Sequence, residues 1–142
     1  MHVGDAGASA LAAALGQGAM PRLESIMLHQ TGIGDAGLVA LAPALRLRPA
    51  LVRLDLQGNP LGDEGLAALV APPPPTTGGL AKLRELYLHW TQITNDCCAT
   101  LVAALESGAL PALVVVNLNG TPASAAAKAT VRRAGWGVLT VL

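Results

Sequence analysis

Few side chains in this sequence could carry out covalent or metal chemistry, and their spacing argues against both. Cys97 and Cys98 offer thiol nucleophiles, and His29 and His89 offer metal ligands. Adjacent cysteines close only a strained disulfide ring, and a buried thiol behaves as a small hydrophobe. The histidines follow predicted strands that lie roughly 10 Å apart, whereas zinc holds its ligands at about 2 Å. We therefore predict no catalytic residue, metal site or cofactor, and a chain that is not an enzyme.

A repeated leucine pattern determines where the other side chains must lie. The phrase Leu-x-x-Leu-x-Leu, with Ile26 and Val116 as substitutes, begins at positions 23, 51, 83 and 113, at intervals of 28, 32 and 30 residues. Alternation within the phrase indicates short strands, which we expect near 23–28, 51–56, 83–88 and 113–118. A period of this size is typical of a solenoid, in which each unit buries its apolar face against its neighbours.

A helix pattern follows each strand pattern. Between Leu38 and Leu45, apolar residues recur at i, i+3, i+4 and i+7, which places them on one helical face. Asp35 stands before this face, where we expect it to act as the N-cap of its own helix. Pro43 removes one backbone hydrogen bond and should bend or end that helix early. The same pattern recurs after Asp5, Asp63 and Asn95.

The predicted domain organisation is a single repeat domain over residues 1–142. The helix pattern after Asp5 has no strand pattern before it, so the domain is expected to start in the middle of a repeat. No polar cap is recognisable at that end, which favours a chain that is part of a longer protein or of a complex. The proline-rich segment 72–79 is interpreted as a loop insertion rather than a polyproline ligand.

The last segment, 122–142, has lost the Asp-x-Gly phrase and is interpreted as a degenerate terminal repeat. A helix is expected from Ser124 to Ala134, with Gly135 as its C-cap. The apolar residues 136–142 would then add one closing strand.

Composition excludes several classes of partner. Apolar residues make up 52% of the 142, and nine basic and nine acidic residues cancel in charge without forming a basic stripe. Nucleic acid is therefore not an expected partner. No apolar run is long enough to insert into a membrane, and no secretory signal is recognisable. The two cysteines do not form a disulfide framework, which favours reduced thiols and a cytoplasmic, intracellular location.

The repeated phrase resembles that of leucine-rich repeat proteins of the ribonuclease-inhibitor-like class. The class phrase Leu-x-x-Leu-x-Leu-x-x-Asn-x-Ile-x-Asp-x-Gly reads here Leu51-x-x-Leu54-x-Leu56-x-x-Asn59-x-Leu61-Gly62-Asp63-x-Gly65. The resemblance covers residues 3–121. It departs from the class where Thr31, Thr91 and Thr121 take the Asn position and where Cys97 takes the Gly position. The resemblance implies an α/β solenoid with a curved parallel sheet on its concave face and helices on its convex face.

The side chains between the strand leucines should form lateral rows on the concave face, which the resemblance implies is the usual contact surface. The first two rows are Ser25, Arg53, Glu85, Val115 and Met27, Asp55, Tyr87, Asn117. The next two are His29, Gln57, His89, Asn119 and Gln30, Gly58, Trp90, Gly120. A parallel sheet holds such neighbours about 4.8 Å apart on a rigid backbone.

Eight row residues form the predicted partner-binding site: Met27, His29, Arg53, Asp55, Glu85, Tyr87, His89 and Trp90. The aromatic residues stand out because the chain has one Tyr and two Trp, and exposed aromatics anchor protein interfaces. The alternative is that they are chance surface residues or lie beneath the 72–79 loop. The charged residues of the rows either orient a partner or pair with one another, and the sequence leaves both interpretations open.

The predicted function is a non-enzymatic protein-binding or scaffold module that acts through the concave face. The resemblance implies two further possibilities, a GTPase regulator similar to Ran activators and a sensor region similar to those of intracellular immune receptors. No residue can be matched to an activator's functional arginine.

Overall fold

The structure, a computed structural model, describes residues 4–16, 22–46, 50–70, 80, 82–107, 110–135 and 140–141. Its strands are β1 (Ser25–Met27), β2 (Arg53–Asp55), β3 (Glu85–Tyr87), β4 (Val115–Asn117) and β5 (Thr140–Val141). Its helices are α1 (Gly4–Gly16), α2 (Asp35–Arg46), α3 (Asp63–Val70), α4 (Asn95–Glu106) and α5 (Ala125–Ala134). Strand and helix alternate along the chain, as the leucine pattern predicts.

The five strands form one open parallel sheet in the order β1-β2-β3-β4-β5. Each strand therefore pairs with the next one along the chain, and each crossover contains a helix. Successive helices pack against one another from α1 to α5. This arrangement confirms the predicted α/β leucine-rich repeat solenoid.

The core lies between the sheet and the helices and is almost entirely aliphatic. The central strand residues Leu54, Leu86 and Val116 are fully buried, as are Leu38 and Leu45 of α2. Because these positions recur with the repeat, their side chains stack into one continuous cluster along the solenoid. Each repeat thus buries its apolar side chains mainly against its neighbours.

Of the two effects expected of Pro43, a bend or an early end of α2, the early end is not observed. The helix continues to Arg46, and Pro43 lies on its exposed outer side. Proline removes a single donor, and on the solvent side the freed carbonyl of the preceding turn can be hydrated. The outward side chains of α2, which are Ala36, Val39, Ala40 and Pro43, are all exposed.

Asp35 does not cap its own helix, which corrects the prediction from the sequence. It is the first residue of α2, and its Oδ1 accepts hydrogen bonds from the N–H groups of Gly62 and Gly65, both at 2.8 Å. Those two amides lie at the start of α3, in the next repeat. Asp5 likewise accepts from Gly34 at 2.8 Å and from Gly37 at 3.0 Å. Each carboxylate therefore caps the helix of the following repeat.

Hydrogen bonds of this kind, which form a polar bridge from one repeat to the next, continue through the remaining repeats, although the donor residues differ. Asp63 accepts from the backbone N–H of Thr94 at 3.0 Å and from its hydroxyl group, and Asn95 accepts from the N–H of Ser124 at 2.8 Å. Free amides at a helix start need acceptors, and a neighbouring repeat supplies them here. The polar bridge thus fixes the stacking of successive helices.

The terminal segment contains a helix and a short strand. Ser124 caps α5 by accepting from the N–H of Ala127 at 3.1 Å, and Gly135 ends the helix with φ −80, outside the left-handed region. Thr140–Val141 pairs with β4. The remainder of the expected closing strand and the 72–79 loop lie outside the described residues.

Candidate protein-binding surface

Strand register brings the predicted rows together. Met27 pairs with Asp55, Asp55 with Tyr87, and Tyr87 with Asn117. Two positions earlier on the same strands, Arg53 pairs with Glu85. We use the name concave face for the surface that carries the eight predicted site residues, on the strands and in the turns after them.

Arg53, Glu85 and Tyr87 form a closed hydrogen-bonded group on this face. The Nε and Nη2 atoms of Arg53 donate to Glu85 Oε2 at 2.9 and 2.7 Å. The Tyr87 hydroxyl donates to Glu85 Oε1 at 2.6 Å. Of the two interpretations left open by the sequence, pairing among the charges is therefore what the geometry shows for Arg53 and Glu85.

The ionisation of this group follows from its contacts. The hydrogen bond from Tyr87, followed by that from Arg53, lowers the pKa of Glu85 below its ordinary value. The Tyr87 hydroxyl donates to a carboxylate, which raises the pKa of Tyr87. Glu85 also raises the pKa of Arg53 through hydrogen bonding and charge. At neutral pH Glu85 is therefore ionised, and the charge of Arg53 balances its charge.

Asp55 is less accessible than its place in the row suggests. It is 4% exposed, and its carboxylate accepts from the backbone N–H and the side-chain amide of Gln57, both at 3.1 Å. The Nδ1 atom of His29 lies 3.8 Å from Asp55 Oδ2, which is beyond a direct hydrogen bond. Asp55 therefore orients Gln57 and lies close to His29, while little of its own surface faces outward.

These side chains surround a shallow depression of about 270 Å³ at the centre of the concave face. Its lining combines the exposed thioether of Met27, the Arg53 and Tyr87 side chains, and the amide of Asn117. The remaining lining residues are Asp55, Gln57 and His89. Seven residues from strands β1 to β4 and the turns after them thus converge on one place.

Trp90 lies at the edge of this face in an uncommon backbone conformation. Its φ angle is +57°, in the left-handed region that disfavours residues with a Cβ, and its side chain is 60% exposed. Its N–H donates to the carbonyl of Asn119 at 2.8 Å. The turn geometry recurs at Gln30, Gly58 and Gly120, all with positive φ.

The indole ring of Trp90 rests against the backbone of Gly120. A Cβ added at Gly120 would lie 2.0 Å from Trp90 Cδ1, so only glycine leaves room for this ring position. His89 contacts both neighbours edge-on, with its ring centroid 6.2 Å from that of Tyr87 and 5.6 Å from that of Trp90. Within the described residues, His89 Nδ1 is buried without a hydrogen-bond partner. The three aromatic side chains form one connected group.

Two of these features are not among the expectations from the sequence. The left-handed conformation of Trp90 could be predicted from the repeat alignment, because Trp90 aligns with Gly58 and Gly120 and glycine is common where φ is positive. The contact between the indole ring and Gly120 has no signal in the pattern. It depends on a side-chain rotamer across neighbouring repeats.

The thiols lie away from the concave face. Cys97 and Cys98 are both free and buried in α4, at 0% and 1% exposure. Burial raises the pKa of both thiols above their ordinary value, which favours the neutral form. Neutral, enclosed thiols are poor nucleophiles. The expectation that neither residue is catalytic stays a prediction, and the geometry supports it.

Comparisons with known proteins agree with this architecture. The family model described as Leucine Rich repeat matches residues 49–70. The chain is 46% identical over 66 residues to Leucine-rich repeat-containing protein 73 of Homo sapiens, which covers 46% of this chain and 21% of that protein. It is 31% identical over 121 residues to Ribonuclease inhibitor of Sus scrofa, covering 82% of this chain and 25% of that protein.

A third relative is Protein NLRC5 of Mus musculus, 36% identical over 103 residues, which is 72% of this chain and 5% of that protein. Fold and repeat together define this chain as a leucine-rich repeat protein. Within that family it belongs to the ribonuclease-inhibitor-like class. It spans about a fifth to a quarter of the length of the first relatives.

No helix among the described residues is both long and apolar enough to cross a bilayer.

Proposed function

We propose that this chain is a non-enzymatic module that binds a protein partner through its concave face. Leucine-rich repeat domains are generally protein-interaction modules, which supplies the class of function. The observation that carries the proposal for this chain is Trp90, a large apolar side chain left 60% exposed on a residue whose backbone is strained. Strain of this kind tends to persist where the side chain is needed.

The surroundings of Trp90 match the composition of a binding surface. Met27 is 53% exposed, and Tyr87 and His89 continue the aromatic group toward the central depression. Aromatic and methionine side chains are enriched at the centres of interfaces, where they contribute most of the binding energy. Because the parallel sheet and its turns already hold the backbone of these residues, no main chain has to be ordered when a partner binds.

The charged group serves a second role in this proposal. Arg53 and Glu85 are already paired, so that a partner does not meet an isolated charge at the floor of the face. Arg53 keeps about half of its side chain exposed, at 46%. It can therefore orient a partner while remaining bonded to Glu85.

Site-specific photo-crosslinking tests this proposal. A photoreactive residue is placed at Gln57 or Asn117, which line the central depression, and at Ala40, an exposed position of α2, as the matched control. We expect one protein to be captured from both concave positions and not from Ala40. Capture from Ala40 alone, or capture that does not differ among the three positions, would contradict the assignment.

A ribonuclease is a defined probe for the same surface, because one relative carries the name Ribonuclease inhibitor. If the partner is a ribonuclease, an excess of the chain lowers the rate of RNA cleavage. The same excess of the Trp90→Gly variant leaves that rate close to the rate without the chain. Unchanged cleavage excludes this partner and leaves the search open to other proteins.

Regulation of a GTPase is the alternative function. It is tested by the rate of GTP hydrolysis of a Ran-type GTPase with and without the chain. We expect no change in rate, since no arginine of the chain is matched to an activator's functional arginine.

We also include an intracellular location in the proposal because both described cysteines are free thiols, as in reducing compartments.

A further inference from the structure

The one Asn-Gly pair of the sequence lies on the concave face, in the turn after β4. Asn119 is exposed, and its side-chain amide has no hydrogen-bond partner among the described residues. Glycine after asparagine is chemically important because no side chain hinders the approach of the glycine nitrogen to the asparagine side-chain carbon. Asn-Gly pairs are therefore the asparagine sites most prone to close a succinimide ring.

The backbone N–H of Gly120 differs from its equivalents in the other repeats. In the earlier turns this N–H donates to a carbonyl of the next repeat, from Gly58 to His89 at 3.0 Å and from Trp90 to Asn119 at 2.8 Å. The N–H of Gly120 has no such acceptor within the described part of the chain. The nitrogen that must attack in succinimide formation thus has no such acceptor among the described residues, which end at β5, the strand beside β4.

We propose that Asn119 is a site of spontaneous deamidation, which changes the charge and the backbone of the concave face with time. The Gly120 nitrogen attacks the side-chain carbonyl carbon of Asn119, and a nitrogen–carbon bond closes the succinimide ring. The bond from that carbon to the amide nitrogen breaks, and ammonia leaves with the proton given up by Gly120. No electron is transferred.

Water then opens the ring by adding to one of its two carbonyl carbons. If the bond from the Gly120 nitrogen to the side-chain carbon breaks, the product is an ordinary aspartate. If the bond to the main-chain carbonyl carbon breaks, the product is an isoaspartate, whose main chain is longer by a methylene group. Both products carry a new carboxylate.

The change acts directly on the aromatic group. The carbonyl of Asn119 accepts the N–H of Trp90, and Gly120 supports the indole ring. A longer main chain at position 119 therefore disturbs the turn that holds Trp90, and either product places a negative charge in the row that contains His89. The chemical step itself does not depend on the proposed function.

Peptide mapping by mass spectrometry after incubation of the folded protein in mildly alkaline buffer tests the proposal. With oxygen-18 water, each deamidation event is marked by a heavy oxygen atom. We expect conversion of Asn119 to a mixture of aspartate and isoaspartate ahead of Asn95 and Asn117. Asn59 serves as an internal control, because Pro60 has no N–H to form the ring.

The variant Gln57→Asn provides a matched control within the same chain. It creates a second Asn-Gly pair in an equivalent turn, whose Gly58 N–H is hydrogen-bonded to His89. We expect this new site to react roughly fivefold more slowly than Asn119, the factor that one hydrogen bond supplies. The proposal is overturned if Asn119 stays intact, if it reacts no faster than Asn95 and Asn117, or if position 57 reacts as fast as Asn119.

Discussion

The Trp90 indole ring occupies the space that a side chain at Gly120 would need. An added Cβ would lie 2.0 Å from Trp90 Cδ1, and Gly120 itself has φ +70°. The exposed ring is therefore placed by the backbone of the next repeat. Gly120 thus determines where the Trp90 ring lies on the concave face, although Gly120 itself has no side chain that could contact a partner.

Gly120→Ala should both strain the backbone and displace the indole ring. We expect a loss of about 1–2 kcal/mol in the free energy of unfolding from the left-handed conformation alone, measured by urea denaturation. Gly58→Ala is the matched control, because its φ is +68° and its Cβ meets the flexible Gln30 side chain at 2.8 Å. Gly120→Ala should cost more than Gly58→Ala, and an equal cost would mean that the ring moves freely.

Asp35 should stabilise the helix of the next repeat rather than its own. Asp35→Ala removes the acceptor for two amides at the start of α3 and should lower the free energy of unfolding by about 1–2 kcal/mol. Asp35→Asn keeps an oxygen acceptor, as Asn95 does naturally, and should cost less.

Amide hydrogen exchange locates this effect. In Asp35→Ala, the N–H groups of Gly62 and Gly65 should lose protection before amides near the start of α2 do. Loss of protection confined to the start of α2 would show that Asp35 caps its own helix after all.

Asn59 should be the most sensitive polar residue of the interior. It is 1% exposed, and its side chain accepts from the N–H groups of Thr31 and Ile33 and from the Thr31 hydroxyl. It also donates to the carbonyls of Leu28, Leu56 and Gln57. Asn59→Ala removes the acceptor of the Thr31 and Ile33 N–H groups, whereas the Thr31 hydroxyl keeps its bond to the Leu28 carbonyl. The loss should cost about 3 kcal/mol or more in thermal or urea unfolding.

Asn59→Thr tests which of these bonds matter. Thr91 occupies the equivalent position and donates to Leu88 within its own repeat. Threonine at position 59 should therefore keep the bond to Leu56 and lose those to the preceding repeat. If Asn59→Thr is as stable as the unchanged protein, the bonds between repeats contribute little.

Cys97 should make the protein less stable at alkaline pH. Its thiol ionises near its ordinary pKa of 9.0 when the chain is unfolded, whereas burial raises the pKa in the folded state. The stabilisation is complete below that value and decreases as the pH rises above it, because the unfolded state releases a proton that the folded state retains. Between about pH 8 and pH 10 we expect this proton release to lower the free energy of unfolding by about 1 kcal/mol.

The control for this effect is Cys97→Ala, studied over the same pH range by urea denaturation. The variant should lose less stability than the unchanged protein between the two pH values. Parallel decreases in both proteins would assign the alkaline effect to other groups. Cys98 contributes in the same direction, since burial raises its pKa as well.

The repeat architecture and the rows of the concave face follow from the sequence because they depend on period and alternation. Leu54 and Leu86 recur at fixed spacing, so their strands pair in register and their neighbours Asp55 and Tyr87 become adjacent. These are properties of the pattern and do not require knowledge of any particular side-chain contact.

Contacts between repeats are less accessible to prediction. Helix capping is a local rule that assigns Asp35 to its own helix, whereas its two donors lie 27 and 30 residues further along the chain. The recurring glycines are a signal of this arrangement, since a Cβ at Gly65 would lie 2.9 Å from Asp35 Oδ1. The pairing of Arg53 with Glu85 depends on rotamers, which periodicity does not determine.

The most direct test of the binding role is the variant Trp90→Gly. Glycine relieves the left-handed strain, and Gly58 and Gly120 show that the turn accepts it. We therefore expect the melting temperature to stay the same or rise, while affinity for the partner captured by crosslinking falls at least tenfold, the effect of losing an aromatic anchor of about 1.4 kcal/mol or more. Unchanged affinity in a folded Trp90→Gly protein would contradict binding through the concave face.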